Sequence, residues 1–308
     1  MKLREYVLKI LSKAVMYKKI KFPVVYMTLL VKNEEDILEE NLLFHKYMGI
    51  DGFIITDNGS SDRTGDIIKK YVLKGWIKEV IYDDSPGYLQ TMHVDRMIRI
   101  ARDKFHCDWI INCDADEFWY CTKRKYRRIL CDTGHNVLLC RIYNMLPSEN
   151  EAFWKSPWRI VKSADKEKYG LLDYNLYTEQ ISKVIHRGKG YKQIAAGNHN
   201  VKMLVKSIGY TEDIVIYHYN VRSQEHFIRK MVGGGAELEK RPVKNMGQHW
   251  KYFFDLSNKE DFDEAKAYDA FIGRKVVETF KQENIIMKDE TISDIMKKIY
   301  SQVNKYEK

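Results

Sequence analysis

Long apolar runs are missing from this sequence. No window of 18 apolar residues exists, so we expect no transmembrane helix. The first residues lack the apolar core and small-residue cleavage site of a secretory signal, so we expect no such signal.

None of the five cysteines forms a Cys-x-x-Cys pair, and their odd number argues against a closed disulfide framework. We therefore expect reduced thiols in a cytoplasmic chain, and a cysteine zinc site is the less favoured interpretation.

Glycine-rich phosphate loops are missing as well. No G-x-G-x-x-G follows the first predicted strand, which disfavours a dinucleotide dehydrogenase, and no GxxxxGK[ST] marks a P-loop enzyme. The 52 Lys and Arg exceed the 43 Asp and Glu, giving a formal charge of +9. However, no basic run alternates with aromatic residues, and no zinc finger or RNP-like motif occurs, so we expect no nucleic-acid partner.

The composition that is present is that of an ordinary globular protein, with 44% hydrophobic and 31% charged residues. The 308 residues suffice for one large α/β domain with appendages or for two domains. Residues 1–22 place apolar side chains at helical spacing among lysines and arginines. They predict a basic amphipathic helix that either packs on its own domain or lies on an anionic membrane, at the inner face of the cytoplasmic membrane.

Strand and helix patterns alternate in the first half of the chain. Apolar strands are predicted at 23–31, 53–56, 77–82 and 109–113. Helical patterns separate them, which predicts a right-handed parallel α/β sheet. We expect Asn33 to be the N-cap of the first helix and Gly49 to end it.

The pattern changes after residue 130. Further strands are predicted at 137–143, 159–163 and 214–219, and the chain becomes mostly helical from about 224. Lys183 and His186 are interpreted as part of a solvated basic strand, and the glycines of VGGGAEL (232–238) as a flexible loop. The predicted organisation is an amino-terminal helix, an α/β domain and a helical extension, at 1–22, 23–230 and 231–308.

Acidic residues follow the fourth predicted strand directly. Asp114, Asp116 and Glu117 stand where an apolar strand ends, and open α/β sheets bind ligands at that edge. Carboxylate oxygens suit Mg²⁺ or Mn²⁺, and such an ion can bridge phosphate oxygens. We therefore predict a metal and phosphate site, although a pair of solvated loop acids is the alternative. The second Asp-x-Asp, at 261–263, is interpreted as a solvated helix start.

A polar segment, DNGSSDRT (57–64), follows the second predicted strand. An acid at the end of strand two can bind a ribose or a base in sheets of this kind, which makes Asp57 a candidate. A turn followed by a helix cap explains Asn58, Gly59 and Ser61 without any ligand.

Three segments together resemble a known family. VKNEEDILEENLLFHKYMGID, DNGSSDRT and NCDADEFW, in this order and spacing, are similar to the nucleotide-sugar half of family-2-like glycosyltransferases with the GT-A fold. The Phe-Trp pair after the acids and the later HYNVRS further resemble a subgroup related to the family-92 galactan-type transferases. The resemblance covers about residues 23–230.

The resemblance implies a set of site residues. The donor-binding residues that it implies are Asn33, Glu34, Asp57, Asp114 and Arg222. The ligands that it implies for Mn²⁺ or Mg²⁺ are Asp114, Asp116 and His218. Asp116 would be the more direct ligand of the ion, and the guanidinium of Arg222 would face the diphosphate.

The catalytic base is not fixed by the resemblance, because the acceptor-side Glu-Asp pair of many relatives has no match here. The acids that we consider for this role are Glu117, Glu149, Glu151, Glu179, Glu212 and Asp213. His199 is a further polar candidate, although a hydrogen-bonded turn residue is the more common role for such a histidine. Trp119, Trp154, Trp158 and Trp250 could stack on a sugar, but burial is expected for most of them.

The predicted function is a metal-dependent glycosyltransferase, inverting at the sugar, that uses a nucleotide-diphosphate sugar such as a UDP-sugar. The acceptor would be a glycan or a lipid-linked molecule in surface or capsular polysaccharide synthesis. A sugar-phosphate nucleotidyltransferase is the alternative enzyme, but LVKNEED offers one lysine and no glycine to hold a triphosphate. A non-catalytic glycan- or membrane-binding protein on the same fold is the other alternative.

Overall fold

The computed structural model describes Val7 and residues 19–85, 89–123, 125–148, 151–240 and 247–306. The predicted helix over 1–22 therefore lies outside the described residues, apart from Val7 and residues 19–22, and so does Glu149. Within the described part, the chain forms two compact units. The first comprises 19–85, 89–142 and 181–216, and the second comprises 143–180 and 217–306. No described helix has the length and apolar character needed to cross a bilayer.

The secondary structure follows the predicted alternation and then departs from it. The strands are β1 (Val25–Val31), β2 (Gly52–Asp57), β3 (Ile77–Tyr82), β4 (Trp109–Asp114), β5 (Glu117–Cys121), β6 (Val137–Asn144), β7 (Trp158–Ile160), β8 (Lys183–Arg187), β9 (Tyr191–Ile194), β10 (Val201–Met203), β11 (Ile208–His218) and β12 (Ile286–Lys288). The α-helices are α1 (Leu38–Met48), α2 (Thr64–Leu73), α3 (Gln90–Asp103), α4 (Tyr126–Leu130), α5 (Lys166–Tyr169), α6 (Gln224–Lys240), α7 (Gln248–Ser257), α8 (Glu264–Ile272), α9 (Val277–Gln282) and α10 (Thr291–Tyr306).

The first unit is built on the predicted parallel sheet, which is confirmed. The eight-stranded sheet has the order β3-β2-β1-β4-β8-β6-β11-β5, and the pairs β3-β2, β2-β1 and β1-β4 are parallel. Strand β1 is central to this half and almost fully buried, as its continuous apolar run requires. In its register, Val31 pairs with Asp57 and Leu30 pairs with Asp114.

The interpretation of the segment around Lys183 as a solvated strand is wrong. Strand β8 lies inside the sheet, antiparallel to both β4 and β6, and all five of its residues are buried. His186 is fully buried and lies 3.1 Å from the side-chain amide of Asn112 on β4. Carboxylates far away in the sequence compensate the ammonium of Lys183, so its charge did not prevent burial.

The start of the first helix also differs from the prediction. Asn33 has a left-handed backbone with φ of 54° and is not an N-cap, since α1 begins at Leu38. Residues 34–37 form a turn in which the carbonyl of Glu34 accepts from the amides of Ile37 and Leu38. Gly49 ends α1 in the left-handed conformation, as predicted.

The second unit is mostly helical, with the short antiparallel pair β7-β12. The glycines of VGGGAEL lie inside α6, so their interpretation as a loop is wrong. A Cβ at Gly235 would lie 2.6 Å from the carbonyl oxygen of Trp250 on α7, and it would also clash with Phe254. Glycine is therefore needed for the close packing of these two helices. Asp263 caps α8 by accepting from the amide of Lys266, which confirms the predicted helix start.

Candidate active site

Two loops at the carboxyl ends of β1 and β2, here called the paired loops (residues 32–37 and 58–63), are joined by side chain to backbone hydrogen bonds. The amide of Ser61 donates to Oδ1 of Asn33 at 2.8 Å, and the amide of Asn33 donates to Oγ of Ser60 at 3.0 Å. The side chain of Asn33 thus shapes this edge of the sheet, and its left-handed backbone directs the chain toward the second loop.

Further bonds extend the pairing toward α2. The amide of Glu34 donates to Oγ1 of Thr64 at 2.8 Å, and the amide of Glu35 donates to Oδ2 of Asp62 at 3.2 Å. The carboxylate of Glu35 accepts from the backbone and from Nε of Arg63, both at 3.0 Å. Most polar residues of both sequence motifs therefore have a structural role in holding the loops together.

Asp57 ends β2 beneath the paired loops. Its side chain is 5% exposed, and Oδ1 accepts from the amide of Ser60 at 2.9 Å. This bond fixes the carboxylate at the carboxyl edge of the sheet. The geometry is compatible with the predicted contact to a ribose or base, which stays a prediction.

The acidic turn, defined as residues 114–119, lies at the carboxyl end of β4 and is held by α1. Nδ2 of Asn41 donates to the carbonyls of Ala115 at 2.9 Å and Glu117 at 3.0 Å. Nε2 of His45 accepts from the amide of Trp119 at 3.0 Å, so Nδ1 carries the proton and donates to the carbonyl of Asn41. Burial lowers the pKa of His45 to about 3, which keeps this ring neutral.

A buried ammonium group lies against the carboxylates of this turn. Nζ of Lys183 lies 2.6 Å from Oδ2 of Asp114 and 2.5 Å from Oε1 of Glu117, and the lysine side chain is 5% exposed. Burial alone would lower the pKa of Lys183, but the charges and hydrogen bonds of the two carboxylates outweigh it and raise that pKa. The lysine is therefore a cation at neutral pH.

The members of the acidic turn differ in accessibility. The side chain of Asp114 is 36% exposed, whereas Asp116 is 6% and Glu117 is 1% exposed. Oε2 of Glu117 accepts from Nε1 of Trp119 at 3.2 Å and from the amide of Asp114 at 3.3 Å. With Lys183 on its other oxygen, Glu117 is built into the turn. Trp119 is fully buried and belongs to the core.

Strand register brings the acidic turn close to Asp57. Asp114 and Asp57 pair with adjacent residues of β1, one from each side. Two strand spacings separate them, about 10 Å between backbones. Carboxylates therefore flank the end of β1 on both sides, at the edge where open α/β sheets bind their ligands.

His199 lies beside this cluster. Its Nδ1 lies 3.2 Å from the carbonyl of Ser182, the residue before β8. Burial lowers the pKa of His199, and Lys183 and Asp114 act on the ring in opposite directions. The structure thus brings this histidine into the neighbourhood of the acidic turn, in addition to its role in a turn.

Asp213 lies elsewhere in the first unit. Its carboxylate binds Nζ of Lys123 at 2.8 Å and Oγ1 of Thr122 at 3.1 Å, and the hydrogen bond with Lys123 lowers its pKa. Thr122 follows the far end of β5, five residues after Glu117, which is about 16 Å along a strand. Asp213 is therefore not grouped with the acidic turn. Glu212, on the same strand, is exposed.

The remaining predicted residues belong to the second unit. Oδ1 of Asn144 lies 3.0 Å from Nδ1 of His218, and Nδ2 of Asn144 donates to the carbonyl of Leu176 at 3.1 Å. Since Oδ1 of Asn144 can only accept, Nδ1 of His218 is the donor in this contact. Arg222 is 5% exposed. Glu151 is exposed and binds Lys155 at 3.2 Å, while the amide of Glu179 donates to Oγ of Ser163.

The sequence profile of Glycosyl transferase family 2 matches residues 29–196, which is more than half of the chain. The chain belongs to glycosyl transferase family 2. It is a glycosyltransferase, and its α/β sheet with a helical carboxyl-terminal region is the GT-A-like architecture that the resemblance implies. The matched segment begins in β1 and includes the paired loops, the acidic turn and β8.

Solved structures give a weaker likeness to this family-2 glycosyltransferase. S. aureus TarS is 13% identical, with a TM-score of 0.40, over 75% of this chain and 42% of that chain. The TarS 1-349 structure in complex with UDP is 12% identical, with a TM-score of 0.40, and the match covers 83% of this chain and 77% of that chain. A third structure is the glucosyl-3-phosphoglycerate synthase of Mycobacterium tuberculosis with Mn²⁺, UDP-glucose and phosphoglyceric acid. It is 12% identical, with a TM-score of 0.36, and the match covers 73% of this chain and 82% of that chain. A search of curated proteins gave no match.

A divalent cation fits the chemistry of the acidic turn. The turn carries three carboxylates, those of Asp114, Asp116 and Glu117, and the ammonium of Lys183 binds two of them, Asp114 and Glu117. A cation bound here would reduce the repulsion between these carboxylates and an anionic ligand. Among the described residues, no three acidic, histidine or cysteine side chains form a metal cluster.

Three residues that hold this family-2 site were missed in the sequence. Asn41 and His45 fall within the first predicted helix but were not identified as site residues, and Lys183 was interpreted as part of a solvated strand. The polar pair at i and i+4 on α1 was the one available signal, since two buried polar residues on an otherwise apolar face need partners. Nothing near Lys183 in the sequence pointed to Asp114, because 69 residues separate them.

Proposed function

We propose that this glycosyltransferase moves a sugar from a nucleoside diphosphate donor, with UDP-sugars the first to test, to a hydroxyl group of a glycan or lipid-linked acceptor. One observation carries the proposal, namely that Asp57 and Asp114 flank the end of β1 about 10 Å apart at the ligand-binding edge of the sheet. That separation suits a ligand with a nucleoside at one end and a diphosphate at the other.

Asp57 would bind the ribose or base, with Asn33 and Glu34 shaping the paired loops above it. Asp116, with Asp114 beside it, would hold Mn²⁺ or Mg²⁺. When bound, such an ion supplies Lewis-acid stabilisation of the negative charge on the departing diphosphate. The accessible edge of Asp114 and the oxygen chemistry of the turn support this assignment.

His218 and Arg222 remain proposed donor contacts in the second unit. Nδ1 of His218 donates to Oδ1 of Asn144, so Nε2 would be the nitrogen that ligates the ion. Arg222 would contribute a guanidinium to the diphosphate.

The proposed reaction is a single displacement with inversion at the sugar. The acceptor oxygen forms a bond to the anomeric carbon while the bond from that carbon to the phosphate oxygen breaks. The nucleoside diphosphate leaves with the bonding electrons, and the acceptor proton passes to a carboxylate base. We propose Glu151 for this role, because Glu117 is buried and doubly bound and Asp213 is remote from the turn along β5.

We also propose a subgroup within the family and a cellular setting for the reaction. The buried Phe118 and Trp119 after the acids, with HYNVRS at the end of β11, support a place near the family-92-like subgroup. Surface or capsular polysaccharide synthesis is the proposed setting, with the basic segment 1–21 contacting the inner face of the membrane. Flotation of the full chain with anionic vesicles, compared with residues 22–308, tests that contact.

The donor site is tested by thermal unfolding with UDP, GDP, CMP and ADP, each with and without Mn²⁺. A ligand that binds the native state at 100 times its Kd raises stability by about 2.7 kcal/mol. We expect a shift that requires both Mn²⁺ and one nucleoside diphosphate. The absence of a shift with all four nucleotides contradicts the proposed donor site.

A further inference from the structure

Lys183 is a buried lysine in the interior of a sheet, in an enzyme whose donor carries negative charge. Strand β8 places it between β4 and β6, and its ammonium contacts carboxylates on both Asp114 and Glu117. A buried lysine is retained as a cation only when it has close partners of opposite charge. Both of its partners belong to the acidic turn.

The contacts form a closed arrangement around the turn. Lys183 binds Oδ2 of Asp114 and Oε1 of Glu117, while Oε2 of Glu117 accepts from the amide of Asp114 and from the indole of Trp119. One carboxylate oxygen of Asp114 is thereby committed to an internal cation. An ion that arrives with the donor must share Asp114 with this ammonium.

We propose that Lys183 is a positioning residue that acts as a built-in cation of the acidic turn. It holds Asp114 through Oδ2, keeps this side of the turn closed to a second divalent ion, and leaves Asp116 as the main protein ligand of the donor's ion. The part of the inference that concerns the ion rests on the proposed function.

The first experiment compares Lys183→Met with the wild type in thermal unfolding. Loss of the ammonium leaves two close carboxylates without their counter-ion, and we expect the melting temperature to fall by about 10 °C. Mn²⁺ alone is then added as the probe. We expect it to raise the melting temperature of Lys183→Met by several degrees more than that of the wild type, because the ion takes the place of the ammonium.

Lys104→Met is the matched control. Lys104 also lies 2.6 Å from a carboxylate in the first unit, that of Glu79, but its side chain is 59% exposed. We expect no loss of stability and no added response to Mn²⁺ from this variant. Equal responses to Mn²⁺ in Lys183→Met, Lys104→Met and the wild type would overturn the proposal.

The double variant Lys183→Met with Glu117→Gln separates positioning from simple charge balance. It removes one positive and one negative charge, so the net charge of the turn is unchanged, and it remains measurable if the single variant does not fold. Mn²⁺ binding without donor is followed from the electron paramagnetic resonance signal of the free ion. We expect binding at least threefold tighter than in the wild type, because Asp114 regains both oxygens, together with a fall in kcat.

Tighter binding of Mn²⁺ together with a lower kcat in the double variant would indicate that Lys183 positions Asp114. Unchanged or weaker Mn²⁺ binding in the double variant would show that Lys183 contributes only to folding and would overturn the inference. A wild type that binds neither nucleotide nor ion contradicts the proposed function instead, and the response of Lys183→Met to Mn²⁺ still decides the role of the lysine.

Discussion

The paired loops and the acidic turn occupy neighbouring strand ends, but they are stabilised in different ways. The loops are held mainly by short side chains that bind backbone amides in two segments about 27 residues apart, such as Ser60 on the amide of Asn33. The acidic turn is held by buried groups from α1 and β8, up to 76 residues away. The loops are partly exposed, whereas Asn41, His45 and Lys183 are almost completely buried.

This difference predicts that the two regions tolerate substitutions unequally. Water can replace a lost hydrogen bond in the exposed loops, so single changes there are expected to cost little. In the acidic turn, a lost partner leaves a buried polar group or charge without compensation. We therefore expect the carboxylates at the proposed diphosphate position to be held more rigidly than the residues at the proposed nucleoside position.

The largest effect is expected from Asp116→Asn. The change removes one negative charge from the turn with little change in volume, and we expect kcat to fall by about 100-fold or more, as for other losses of transition-state electrostatic stabilisation. The Mn²⁺-dependent thermal shift with the donor nucleotide should disappear as well. Transfer of radiolabelled sugar measures the first effect.

Asp261→Asn provides the control for this prediction. Asp261 belongs to the second Asp-x-Asp, is exposed, and lies in the helical second unit. We expect its activity and nucleotide response to equal those of the wild type. Full transfer activity in Asp116→Asn would contradict the assigned role of the acidic turn.

The second prediction concerns the loss of folding stability at acidic pH. Burial lowers the pKa of His45 to about 3 and that of His186 to about 4, both below the value of about 6.5 in an unfolded chain. The unfolded state therefore binds more protons as pH falls below about 6.5. Each histidine lowers the unfolding free energy by roughly 1.4 kcal/mol per pH unit between that pH and its own folded pKa.

Urea unfolding at pH 7.5, 6.5, 5.5 and 4.5 measures this slope. His186→Gln keeps an acceptor for the amide of Asn112 but cannot take up a proton, so we expect a shallower dependence on pH in this variant. The same slope in the variant and the wild type would show that His186 does not contribute to it.

The third prediction compares the two regions directly. Asn41→Leu removes the amide that donates to two buried carbonyls, those of Ala115 and Glu117, and we expect a loss of about 3 kcal/mol in the free energy of unfolding. Ser60→Ala removes the acceptor of one amide in a partly exposed loop, with a loss of about 1 kcal/mol or less. Equal losses in urea unfolding would remove the distinction between the two regions.

The smallest effect is expected from Arg63→Ala. Arg63 binds Glu35 across the paired loops, but its side chain is 81% exposed. Exposed ion pairs contribute little and are screened by salt. We expect thermal unfolding of the variant and the wild type to coincide at high ionic strength, and a clear difference there would give this pair a larger role than its exposure suggests.

The parallel half of the sheet could be predicted because its information is local. The apolar runs of β1, β2, β3 and β4 and the helical patterns between them fix strand type and order through neighbouring residues. The polar residues after β1, β2 and β4 were recognised for the same reason, since each follows its own strand directly.

The remaining features depended on partners distant in the sequence. Burial of Lys183 required Asp114 and Glu117, and the helical conformation of Gly235 required the close approach of α7. Asn33 departed from the predicted cap because its side-chain oxygen accepts from Ser61 in the next loop. A single sequence carries no local signal for such pairings, and tertiary contacts overrode the local preference.

The position of β8 has a consequence for the order of events during synthesis. Strand β4 and the acidic turn leave the ribosome before Lys183, which follows Asp114 by 69 residues. At translation rates of 5–20 residues per second, the delay is roughly 3 to 14 s. During that interval the edge of β4 has no neighbour from β8, and the two carboxylates have no ammonium between them. The nascent chain therefore exposes an open strand edge, which chaperones can bind, until β8 is translated.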